Sequence, residues 1–215
     1  MVPPGRAVDL AFSVLDAAPE RYGAAPTLVF RLRAVESTGA AVHALALRVQ
    51  LTIEPQRRAY DDPGALADLF GTPDRWATTL RPFLWTHASA MVPGFTGSTD
   101  FDLPVPCTYD FDVAAAKYLH ALGDGEVPLA LLFSGTVFTR GTAGFAVEQV
   151  PWHLEAAYRL PVAVWRSTMD QFFPNSGWIR LDRETLDALA RYRSARGLTS
   201  WEQTIAALLP AEVPR

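Results

Sequence analysis

Residues Ala41 to Pro55 read AVHALALRVQLTIEP, and this stretch decides the fold. Leu45, Leu47, Val49, Leu51 and Ile53 recur at every second position, with Ala46, Arg48, Gln50 and Thr52 between them. A period of two puts the first set on one face of a strand and the second on the other, so one face is buried. The same parity places His43 on the inward side. Just upstream, residues 26–36 alternate as well, with Leu28, Phe30, Leu32 and Ala34 facing one way and Arg31 and Arg33 the other. Ser-Thr-Gly-Ala (37–40) between the two runs is turn chemistry. The pattern predicts a hairpin with a single buried face.

Strand signals continue outward from this pair. Residues 7–16 place Leu10, Phe12 and Val14 together, 81–92 form a further strand, and 98–106 alternate Phe101, Leu103 and Val105 against Asp100 and Asp102. Residues 128–140 begin apolar on both faces, as a central strand does. Residues 144–160 complete a long hairpin, in which Pro151 marks an edge position or a bulge.

Helical signals interrupt this series twice. Asp62-Pro63 and Thr72-Pro73 each set a capping side chain before a proline at the first helical position, which predicts two short helices separated by Gly71. Residues 112–122 are alanine-rich and suit a short helix. From Pro161 onward Val162, Trp165, Met169, Phe172 and Phe173 follow helical spacing until Pro174. Pro-Asn-Ser-Gly-Trp (174–178) is then a corner. Asp182 caps a helix ended by Gly197, and Thr199 with Glu202 forms a capping box for the last one. The chain is therefore predicted to be α+β, mainly an antiparallel β-sandwich of immunoglobulin-like type, with a helical insertion at 60–80 and a C-terminal helical segment. An α+β sheet with the late helices on one face is the alternative. The expected organisation is a β-sandwich domain over 1–160, with helices of 161–215 packed on the same domain.

Composition excludes several functions. The 215 residues hold 19 Lys+Arg against 23 Asp+Glu, a net charge of -4, which argues against a nucleic-acid binder. Lys117 is the single lysine and Cys107 the single cysteine, so an internal disulfide is impossible and a reducing compartment is expected. No apolar run reaches the ~20 residues of a membrane span. The N-terminal sequence lacks the apolar stretch of a signal peptide. The expectation is a soluble, cytoplasmic protein.

Reactive constellations are sparse. His43, His87, His120 and His153 show no metal-ligand spacing with one another or with Cys107, and no metal or cofactor is predicted. Cys107 has acidic neighbours, Asp110 and Asp112, which would raise its pKa and suit a structural thiol. Ser176 lacks the frame of a nucleophile elbow. No catalytic residue is assigned.

The segment LPVAVWRSTMDQFFPNSGWIRL (160–181) resembles the C-terminal signature of an uncharacterised bacterial family, through Trp165, Arg166, Met169, Asp170, Phe173, Asn175, Trp178 and Arg180 among others. Residues 101–138 are similar to that family as well. The resemblance implies a domain of unknown function whose genes accompany clusters for uptake nickel–iron hydrogenases. It implies a non-catalytic accessory protein, with a hydrogenase subunit or maturation factor as partner. The expected contact surface is Trp165, Phe173, Asn175, Trp178 and Trp201. Two alternatives are a hydrolase using Asp110, Asp112, Glu155 or a histidine, and a small-ligand module with a site between the sheets. The latter needs a cavity that the bulky core residues are expected to fill.

Overall fold

The computed structural model describes residues 8–108, 110, 113–141, 144–176 and 179–209. Its contacts divide the chain into two units, residues 1–177 and 178–215.

Among the described residues, the first unit carries eight strands: β1 (Leu10–Pro19), β2 (Thr27–Glu36), β3 (Ala41–Ile53), β4 (Phe83–Thr96), β5 (Ser98–Pro106), β6 (Glu126–Gly141), β7 (Gly144–Gln149) and β8 (Glu155–Pro161). They form two antiparallel sheets. One has the order β1-β2-β5; the other runs β4-β3-β6-β7, with β8 also bonded to β6. This is an antiparallel β-sandwich of immunoglobulin-like type, as the alternation predicts. The inward sets are those read from the sequence: Leu28, Phe30, Leu32 and Ala34 of β2, and Leu45, Leu47, Val49, Leu51 and Ile53 of β3, are all buried. Each of these leucine, isoleucine, valine and phenylalanine side chains contributes about 1.5–3 kcal/mol by leaving water. Between the sheets, Phe12 stacks on Phe133 with centroids 4.2 Å apart, while Phe30 meets Trp85 and Tyr158 edge-on.

The predicted hairpin of residues 26–53 is corrected. β2 pairs with β1 and β5, and β3 pairs with β4 and β6, so residues 37–40 carry the chain from one sheet to the other. An inward apolar face is buried whether two strands pair in one sheet or lie in opposite sheets, so alternation does not fix the partner. The outward side of β2 finds its partners on β5 instead. Arg33 sits opposite Asp100 in the register, and its Nε and a terminal nitrogen donate to the two carboxylate oxygens at 2.6 and 3.0 Å.

A second correction concerns His43. The register against β6 shifts between Val42 and Ala44, and this bulge turns His43 outward to solvent. Gly94 accommodates the bulge: a Cβ there would stand 2.7 Å from the His43 carbonyl oxygen. Residues 144–160 are two strands on one edge of β6, and the chain leaves the ladder around Pro151, a residue with no N–H to give.

The insertion forms α1 (Ala67–Phe70) and α2 (Trp76–Thr79), each preceded by a 3₁₀ turn. Asp62 caps the first turn by accepting from the Gly64 amide, whereas Thr72 makes no side-chain cap. The insertion packs on α3 (Ala114–Ala121) through Phe70, Tyr60 and the fully buried Tyr118, and Lys117 reaches Asp68 at 2.9 Å. Helix α4 (Val162–Phe172) lies against β1, β2 and β8 and buries Val162, Trp165, Thr168 and Met169. The second unit holds α5 (Arg183–Ala195) and α6 (Trp201–Ala206).

Candidate interaction surface

The five residues expected to form a contact surface occupy different settings. Trp165 is 2% exposed and belongs to the core, so it presents no surface to a protein partner. Its place on α4 is the one that the helical stripe of Val162 and Met169 dictates, since positions three and four apart share a face. Phe173 is half-buried at the end of α4, where its amide donates to the Met169 carbonyl at 2.8 Å. Asn175 is exposed with φ 51°, the left-handed conformation that asparagine tolerates in turns. Ser176 donates its amide to the Phe173 carbonyl at 3.2 Å, so the corner is a turn as expected. Trp178 lies outside the described residues. Trp201 opens α6 in the second unit.

The hairpin of the second unit is built from local signals. Asp182 caps α5 by accepting from the Thr185 amide and hydroxyl at 2.8 and 2.9 Å, and Gly197 follows the helix with φ +62°. The capping box of α6 is shifted by one residue from the predicted Thr199–Glu202. Ser200 is the cap and accepts from the Gln203 amide, while the Gln203 side chain accepts from the amide and hydroxyl of Thr199. Arg193 places its guanidinium 4.1 Å above the Trp201 ring, a cation–π contact between the two helices. No residue of α5 is buried, and Leu186, Ile205, Leu208 and Leu209 are each over 40% exposed. Along one side of α5, Glu184, Thr185, Ala188, Leu189 and Tyr192, together with Leu208, line an open groove of about 460 Å³. Sequence reasoning placed Leu186 and Leu189 on the helix that Asp182 caps, but it did not single out Ile205, Leu208 or Leu209. The available signal was the run Ile205 to Leu209, too apolar for a helix with only one face to bury.

The other chemical candidates remain scattered. His43, His87, His120 and His153 sit on β3, β4, α3 and the turn between β7 and β8. Partial burial and the nearby Arg166 hold His120 below its ordinary pKa. Glu155 lies on β8 and is exposed, Asp110 is half-buried after β5, and Asp112 lies outside the described residues. Among the described residues no group of three or more His, Cys, Asp or Glu is placed to hold a metal ion. Burial, rather than the acidic neighbours, pushes the Cys107 thiol up to about 12.

One end of the sandwich holds a cavity of about 200 Å³. β4 contributes Trp85, the segment after β5 contributes Cys107, α3 contributes Ala116 and Leu119, and α4 contributes Trp165.

Among the described residues no helix is long and apolar enough to cross a membrane. No curated protein matches the chain. Among solved structures, the chain is similar to the CARDB domain of a Pyrococcus furiosus protein in complex with di-metal ions, at 10% identity over 72% of this chain and 92% of that one, with a TM-score of 0.28. It is also similar to AggA, the major subunit of aggregative adherence fimbriae type I from Escherichia coli, at 9% identity over 73% and 95% of the two chains and a TM-score of 0.28. Scores this low carry no argument about function. The sequence match is of another order: it spans residues 7–215, and by it the chain belongs to DUF6084, a family of unknown function.

Proposed function

We propose that this protein is a non-catalytic accessory module that binds a protein partner through its C-terminal helical hairpin. One observation carries the reading: α5 has no buried residue, and the hairpin leaves Leu186, Ile205, Leu208 and Leu209 exposed, with an open groove lined by Ala188, Leu189, Tyr192 and Leu208 among others. Two short helices bury too little surface to stand alone, and an amphipathic helix derives most of its stability from packing its apolar face. Trp201, held by Arg193, and the exposed Asn175 corner are the members of the expected contact set that offer surface. Aromatic and arginine side chains of this kind dominate binding energies at protein interfaces. The resemblance of residues 160–181 to a family found beside uptake nickel–iron hydrogenase genes supports a hydrogenase subunit or maturation factor as the partner, met in the cytoplasm.

The test is affinity capture of the tagged full-length chain from its native cells, grown under conditions that induce hydrogenase. Recovery of named hydrogenase subunits or maturation factors, lost with Leu208→Asp, supports the proposal. Recovery of this chain alone from cells expressing hydrogenase overturns it.

A further inference from the structure

The cavity at the end of the sandwich is built in a way that suits a ligand. Its floor is Ala116, Leu119 and Trp165, each at most 5% exposed, and its walls are the half-buried Trp85 and Cys107. Val113, 40% exposed, stands at the rim, so the space has a mouth. No charged side chain is among the described residues that line it. Protein interiors leave few voids larger than a water molecule, because the lining atoms of a void lose dispersion contacts. Thr86 and Thr108 add hydroxyls to an otherwise mainly apolar lining. The thiol of Cys107 directs its hydrogen to the Val105 carbonyl at 3.5 Å and adds no charge.

Size and lining together select the occupant. A cavity of about 150 Å³ is large enough for benzene, so this one has room for a ring with a small substituent. Two indoles favour an aromatic guest, which can meet them edge-to-face or offset-stacked. The space exists because α3 presents alanines on its inner face; a larger side chain at Ala116 would fill it. We propose that this cavity is a binding site for a small uncharged aromatic molecule of one ring. The site belongs to the first unit and stands whether or not the hairpin binds a protein.

The experiment is titration of the ¹⁵N-labelled full-length chain with benzene and, separately, with benzoate, read on the indole N–H signals of its six tryptophans. Benzene is expected to shift the Trp85 and Trp165 signals saturably, and benzoate to leave them in place. Ala116→Leu is expected to weaken benzene binding at least tenfold. Should that variant fail to fold, Val113→Phe at the exposed rim closes the mouth and gives the same loss. The proposal is overturned by the absence of saturable shifts at these two indoles up to the solubility limit of benzene. Equal binding of benzoate, or unchanged affinity in the folded cavity variant, overturns it too.

Discussion

The amide of Glu36 donates to the carbonyl of Gly97 over 2.6 Å, and this bond joins two of the three places where the chain passes between sheets. Around it, the Glu36 carboxylate accepts from the Thr38 hydroxyl and amide at 2.6 and 3.0 Å and from the Asp9 amide at 3.2 Å. Its second oxygen is buried without a hydrogen bond. Burial alone would raise this carboxyl, but the bonds from Thr38, Asp9 and Gly39 outweigh it and hold the group below its ordinary value. A carboxylate held low adds stability above its unfolded-state pKa, and loses that stability as pH falls through the folded value. Glu36→Gln is expected to be about 1–2 kcal/mol less stable than the native chain at pH 7. The gap should shrink from about pH 5 downward. Urea denaturation of both chains at pH 7, 5 and 3 checks the magnitude and the direction.

Gly135 lies where β6 changes partners from β8 to β7, with φ +142°. A Cβ there would stand 2.0 Å from the Ala46 carbonyl oxygen of β3, and backbone in a paired strand cannot move aside. Gly135→Ala therefore combines a disfavoured conformation with a clash. A loss of roughly 3–4 kcal/mol is expected, measurable as a fall in the denaturation midpoint.

The hydroxyls of Tyr60 and Tyr118 are 2.8 Å apart, and that of Tyr60 also donates to the Pro55 carbonyl at 2.7 Å. Since Tyr60 has a single proton to give, Tyr118 is the donor between the two rings. The two deletions are consequently unequal. Tyr118→Phe removes one bond and is expected to cost about 1 kcal/mol, while Tyr60→Phe strands the Pro55 carbonyl and the buried Tyr118 hydroxyl and costs about 2–3 kcal/mol. Equal losses in parallel urea titrations would contradict this assignment.

Cys107 should react as a thiol kept protonated. With its pKa pushed up to about 12 by burial, its alkylation rate should keep climbing with pH well past 9, where an exposed thiol levels off. Rates of iodoacetamide labelling for the native and urea-unfolded chain between pH 7 and 10 make the comparison.

Replacing Ser200 by alanine removes the cap of α6, whereas Thr199→Ala removes a bond to the Gln203 side chain. Ser200→Ala is expected to destabilise the helix by about 1 kcal/mol, with faster hydrogen exchange at the Thr204 and Ala207 amides. A smaller effect is expected of Thr199→Ala.

Alternation along β2, β3 and β5 made each strand and its inward face legible, because burial of one face leaves a period of two in the residues themselves. It did not reveal whether neighbouring strands lie side by side or face to face, since Leu28 to Ala34 and Leu45 to Ile53 look alike in either case. His43 escaped for a related reason: a bulge adds one residue and reverses the parity before it. The cavity left no trace in any single stretch, because its volume is what remains between Trp85, Cys107, Ala116 and Trp165 on four separate segments. The capping box was visible in kind but not in position, since Thr199 and Ser200 both carry the hydroxyl that a cap needs.

The placement of β3 between β4 and β6 has a consequence for the chain as it is made. The Ser134 hydroxyl of β6 donates to the Arg48 carbonyl of β3 across 86 residues of sequence. On a ribosome adding about 5–20 residues per second, β3 waits on the order of 5–15 s for that neighbour. Throughout that interval one of its edges carries unpaired amides and carbonyls beside an apolar face, the arrangement most prone to pairing with another chain. Once β6 is in place, that edge of β3 is paired.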